Sequence, residues 1–110
     1  MPSHFYMKQN DTKPALVANL TDANDQVVNL TGATVVFNMR VEPAGTTKIS
    51  ATAATVTDAE AGEVSYSWTA ANTDTADDYE AEFQVTYAAG GVQTFPGRNH
   101  ILVHIVDDIA

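Results

Sequence analysis

From Glu63 to Tyr87 the chain reads EVSYSWTAANTDTADDYEAEFQVTY, and no other stretch restricts its fold so strongly. Val64, Tyr66 and Trp68 alternate with Glu63, Ser65, Ser67 and Thr69, the period of two that marks a half-buried strand. Tyr79, Ala81, Phe83, Val85 and Tyr87 alternate in the same way with Glu80, Glu82, Gln84 and Thr86, so a second strand has one apolar face and one wet face. Between them, Ala70 to Asp78 is too short and too rich in Asp, Thr and Asn for a core element, but it can cross from one sheet to another. Two such arms joined by a crossing predict a sandwich.

The remaining segments fit that expectation. Phe5 and Met7 suit a first edge strand, followed by the turn residues QNDTKP closed by Pro14. ALVANL puts Leu16, Ala18 and Leu20 on one face, a turn follows over Thr21 to Asp25, and QVVNL reads as the next short strand. In ATVVFNMRV the residues Val35, Phe37, Met39 and Val41 face inward. EPAG is a turn over residues 42–45. TTKISATAATVT loses phase between Ile49 and Val56, which predicts a bulge or a change of sheet near Ala51 to Ala53. DAEAG and AAGG are hairpin loops, VQTF pairs back, PGRN turns again, and HILVHIV closes the chain with Ile101, Val103 and Ile105 inward. The expected fold class is all-β, an antiparallel sandwich of two sheets with about seven to nine short strands.

At 110 residues this is read as one domain spanning residues 1–110, enough to bury roughly 65% of its unfolded surface. There is no cysteine, which excludes a disulfide framework, thiol catalysis and thiolate metal sites. Neither the start MPSHFYMKQN nor any later segment has the run of ~20 apolar residues that a membrane span needs, so no membrane association and no secretory signal is expected. A formal charge of −9 repels phosphate backbones and argues against nucleic acid as a partner. No Lys or Arg lies between Lys48 and Arg98, whereas Asp58, Glu60, Glu63, Asp74, Asp77, Asp78, Glu80 and Glu82 do, which reads as a solvated acidic face or a surface for a basic partner.

Residues able to carry chemistry have structural readings that fit better. His100 and His104 on one strand would sit roughly 13 Å apart at 3.3 Å per residue, too far to share a metal ion. Asp22, Asn24 and Asp25, and separately Asp58, Glu60 and Glu63, miss the spacing of a calcium loop and suit turns. Asn10, Asn19 and Asn29 open sequons that read as turn chemistry. The carboxylates of Asp77, Asp78, Glu80 and Glu82 fall on a loop and an outward strand face, where all of them ionise; Ser65 and Ser67 lack a partnered His and a nucleophile elbow. No catalytic residue, cofactor or metal site is therefore expected. Tyr66, Trp68, Tyr79 and Tyr87 point inward, as core residues and not as a sugar-binding platform. The run from Asp74 to Ala81 resembles the tyrosine corner of immunoglobulin-like domains, with Tyr79 as the corner residue.

KQNDTKPALVANLTDANDQVVNLTGATVVFNMR, TVTDAEAGEVSYSWTAANTDTADDYEAEFQVTY and VHIVDDI together resemble the immunoglobulin-like N-terminal domain of bacteriophage baseplate upper proteins, over roughly Met7 to Ile109. The motifs that carry the likeness are D-x-x-P-x-L, V-x-L-T-G-A-x-V-x-F, G-x-V-x-Y-x-W and D-x-Y-x-A-x-F-x-V-x-Y, which are strand and turn determinants. The resemblance implies an immunoglobulin-like sandwich that attaches a tail protein to the baseplate. For a free-standing copy it implies a non-enzymatic virion protein, made in the host cytoplasm and docked on a tail or baseplate component or on the major capsid protein, with homo-oligomeric contacts on the particle. The alternative is a carbohydrate- or cell-surface-binding adhesion module. Docking is expected at Phe5 and Met7, through strand addition along Ser3 to Lys8, and at Leu102, His104 and Val106 on the outward side of the last strand.

Overall fold

The computed structural model describes residues 4–22, 24–96, 101–107 and 109. Among them are nine strands, β1 (His4–Lys8), β2 (Leu16–Asn19), β3 (Thr34–Val41), β4 (Thr47–Ala53), β5 (Thr55–Asp58), β6 (Glu63–Tyr66), β7 (Asp77–Thr86), β8 (Val92–Phe95) and β9 (Ile101–Val106), and a short 3-10 turn, Ala70–Thr73. They form two sheets. The larger runs β1-β9-β7-β3-β4 with β8 also paired to β7, and the smaller runs β2-β6-β5. The all-β sandwich read from the alternation is the fold observed. The orders β2-β6-β5 and β9-β7-β3-β4 are those of the B-E-D and G-F-C-C′ strands of a variable-type immunoglobulin sandwich. One pairing is not antiparallel: β1 runs parallel to β9, from His4 opposite Leu102 to Lys8 opposite Val106.

The stretch from Glu63 to Tyr87 behaves as its pattern requires. β6 lies in the smaller sheet and β7 in the larger, and the segment between them carries the chain across. Val64, Tyr66, Trp68, Tyr79, Ala81, Phe83 and Val85 are all buried, and Tyr87 is half-buried at the rim. Phe37 stacks on Tyr66 with ring centroids 4.4 Å apart, and Trp68 meets both rings edge-on at 5.6 and 5.2 Å. Offset and edge contacts of this kind add to the area that the rings bury. The Trp68 Nε1 is the one buried side-chain nitrogen or oxygen without a hydrogen-bond partner among the described residues.

β7 holds the larger sheet together. One of its edges pairs with β3 from Tyr79 opposite Val41 to Thr86 opposite Thr34. The other edge is divided, with β9 along Asp77 to Ala81 and β8 along Phe83 to Thr86. At its start the Tyr79 hydroxyl donates to the Thr75 carbonyl at 2.8 Å, so the expected tyrosine corner is present. Burial pushes the Tyr79 phenol above its ordinary range, and the nearby carboxylates of Asp77 and Asp74 push it the same way.

The loss of phase after Ile49 is a change of sheet. Ala54 still donates to Val35 at 2.9 Å in the larger sheet, and the chain then joins the smaller one as β5. Just before, a bulge opens between Phe37 and Met39, where Ala51 takes φ 46° and its N–H donates to Asn38 Oδ1 at 2.7 Å.

Two expectations need correction. QVVNL is not a strand: only Thr21 and Val27 bridge, while Val28 donates to Leu20 and Leu30 to Ala59. Its start is held in the preceding turn, where Asp22 Oδ1 accepts the N–H groups of Asn24 and Gln26 and the Gln26 carbonyl accepts the Asp22 N–H, and just past its end Asn29 Oδ1 accepts the Thr31 N–H. Glu80 lies on the outer face as expected but is buried to 7% exposure. The turn after β3 folds over it, so that Glu80 Oε1 accepts the Ala44 N–H at 2.6 Å and Oε2 meets the Arg40 guanidinium at 3.3 Å. The EPAG turn is present as expected, with Ala44 at φ 49°. The PGRN turn lies largely outside the described residues, as does His100.

Candidate docking face

β1 is an edge strand because β9 is its only partner among the described residues, and its sequence gives it one apolar and one polar face. Met7 is buried at 6% exposure, and Phe5 is half-buried with its ring 5.8 Å from that of Trp68. His4, Tyr6 and Lys8 form the other face, and Tyr6 is 64% exposed. The strand is fastened at its far end by backbone. Gln9 donates to Val106 at 2.8 Å and Asn10 to Thr73 at 2.8 Å, and the buried Thr73 hydroxyl donates to the Asp11 carbonyl at 2.8 Å.

The five residues expected to dock divide between the two sides of the larger sheet. Phe5 and Met7 turn their side chains toward the core, so only the backbone edge of β1 is available there. Leu102 and His104 are half-buried on the outer side and Val106 is exposed. The parallel register sets Tyr6 opposite His104 and Lys8 opposite Val106, while on the other flank Asp78 stands opposite His104 and Glu80 opposite Leu102. The outer face therefore grades from an aromatic and aliphatic strip on β1 and β9 to an acidic strip on β7.

At the centre of that face is a chain of side chains from three strands. His4 Nδ1 and His104 Nε2 are 2.9 Å apart, and His104 Nδ1 lies 2.7 Å from Asp78 Oδ1. The imidazole planes differ by 9° with centroids 5.2 Å apart, the separation that two rings joined nitrogen to nitrogen in one plane require. Tyr6 stacks face to face on His104 at 4.5 Å. His4 and Tyr6 escaped the sequence reading, which compared histidines along one strand. The period of two does mark them as the outward partners of Phe5 and Met7, but the register that joins them to His104 exists only between strands.

Two concavities complete the surface. A cleft of about 380 Å³ opens between the two sheets, beside His4, Phe5, the length of β2, Pro96 and Ile101. A groove of about 220 Å³ lies over Arg40, Ser50, Glu80 and Glu82. Among the described residues no group of three or more His, Asp and Glu side chains is placed to hold a metal ion, and no helix is long and apolar enough to cross a membrane. The acidic loops serve the fold: Asp58 accepts the Ala61 N–H, Glu63 accepts the Thr57 hydroxyl, and the Lys48 ammonium and Thr75 hydroxyl hold Asp74 below the usual carboxylate range.

A family model described as the BppU N-terminal domain matches residues 4–103. No curated protein matches the chain at a significant level.

Proposed function

Because the chain belongs to the BppU N-terminal domain family, that of the phage baseplate upper protein, we propose that it is a non-enzymatic, immunoglobulin-like module docked on the virion through the β1 edge and the outer face of β9. The observation that carries this reading is the family match across nearly the whole chain. Membership implies a virion location and association with other phage structural proteins. Within that frame the contact surface is the exposed edge of β1 together with Leu102, His104 and Val106. An edge of unpaired N–H and C=O groups accepts a partner strand, and the flanking side chains set which strand fits. Phe5 and Met7 contribute by holding β1 against the core rather than by touching the partner.

The test is cryo-EM of particles carrying this protein fused to a small fiducial domain. Extra density at the baseplate or tail is the expected result. Density repeated over the icosahedral shell would move the protein to a capsid-decorating position. Particles without extra density, together with binding of bacterial polysaccharide by the purified protein, would sink the structural reading in favour of adhesion.

A further inference from the structure

We propose that His4 and His104 form a proton-sharing pair that latches the start of β1 to β9 and opens when both rings are protonated. The geometry fixes the hydrogen-bond directions. Ionised Asp78 can only accept, so His104 Nδ1 carries a proton that it donates to Oδ1 at 2.7 Å. With both rings neutral, His104 Nε2 is then an acceptor, and His4 Nδ1 must donate to it across 2.9 Å. One added proton keeps the bond. It goes either to the outer nitrogen of His4, with His4 Nδ1 still donating, or to His104, whose Nε2 then donates to His4 Nδ1. A second proton places an N–H on both facing atoms, and no arrangement of the coplanar rings retains the contact. Two cations then face each other where the bond was.

Charged and aromatic groups face the pair from both flanking strands. On β7 the Asp78 carboxylate touches His104, and Glu80, opposite Leu102, is already engaged by Arg40 and Ala44. On β1 itself Tyr6 stacks on His104, a face that suits a cationic ring, and Lys8 adds positive charge one pleat further on. Asp107 follows β9 at the opposite end from His4. No described carboxylate makes a hydrogen bond or ion pair to His4, so charge placed there has no direct counter-ion. Release is local, because the far end of β1 is held by Gln9, Asn10 and Thr73 through bonds that do not titrate.

This latch acts on the strand through which docking is proposed and, resting on that reading, makes attachment acid-sensitive. The latch itself is tested on the isolated protein, so the two fail separately. Amide hydrogen exchange, corrected for the intrinsic pH dependence, is measured for Phe5 to Lys8 from pH 7.5 to 4.5 in the wild type and in His4→Gln. Loss of one hydrogen bond and onset of repulsion predict that protection at the start of β1 falls about tenfold in the wild type while β3 and β7 hold. His4→Gln retains every carboxylate and should show no such step. Protection that stays level in the wild type, or that falls equally in His4→Gln, overturns the latch. Because His4 is exposed, the substitution leaves the core untouched.

Discussion

Tyr79 ties the crossing segment to the first turn of β7, and its hydroxyl has one partner at 2.8 Å, the Thr75 carbonyl. Tyr79→Phe removes that bond alone, and urea denaturation should register a loss of about 1 kcal/mol. The phenols also set an alkaline limit. Tyr66, Tyr79 and Tyr87 are all raised above the ordinary tyrosine range, chiefly by burial, so the native state holds these protons more tightly than the unfolded chain does. Their contribution is complete below about pH 10, where unfolded tyrosines begin to ionise, and is lost as pH rises through the higher folded values. Urea midpoints measured from pH 8 to 11 should fall above pH 10, less steeply in Tyr79→Phe; a level profile would contradict the burial argument. At this scale the inward residues were legible from alternation alone, and so was Tyr79, because burial of a strand face depends on local period. Glu80 was not. Its burial depends on the Val41 to Thr46 turn folding over it, and nothing in the phase of β7 reports where a neighbouring turn lands.

Elements were legible where the sequence changed phase and illegible where turn and loop contacts replaced strand pairing. The break between Ile49 and Val56 marked the passage from β4 to β5. QVVNL has strand composition, yet Asp22 takes the Gln26 N–H and the Val28 and Leu30 N–H groups go to Leu20 and Ala59 on different segments, so no regular ladder forms. The segment is instead seated on the hairpin before β6, where Gly62 takes φ 66° and its carbonyl oxygen accepts the Leu20 N–H. A Cβ at Gly62 would lie 2.7 Å from the Val28 oxygen and 2.9 Å from that of Leu20, both backbone atoms that cannot swing aside. Left-handed strain adds roughly 1–2 kcal/mol for any L side chain, so Gly62→Ala should cost more than about 2 kcal/mol by chemical denaturation. A loss well under 1 kcal/mol would mean that the loop does not rest there. The pairing of β1 with β9 was equally hidden, since strand order and register are properties of the sheet, and with it went the meeting of His4, Tyr6, His104 and Asp78.

The whole molecule is elongated, 46 × 23 × 20 Å, and carries nine formal negative charges in excess. Its acidic strip and its aromatic strip lie side by side on one outer face, and under the docking proposed above a basic partner would be steered by field and held by edge pairing. The parallel pairing of β1 with β9 has a mechanical meaning as well. The chain enters β1 beside Leu102 and leaves β9 beside Lys8, at opposite ends of the same ladder. Tension applied at those two points pulls the strands past each other lengthwise, so the rungs bear the load together instead of parting one after another. Under force, survival is governed by the unfolding rate, and a ladder loaded in shear keeps that rate low. Single-molecule pulling from the two ends should therefore give one high-force rupture, and pulling between Lys8 and the β5–β6 hairpin a lower one. Equal rupture forces would mean that the terminal ladder carries none of the tension. A fold of this geometry is stiff along the line joining those two points, while the edge of β1 that is not paired with β9 lies to the side.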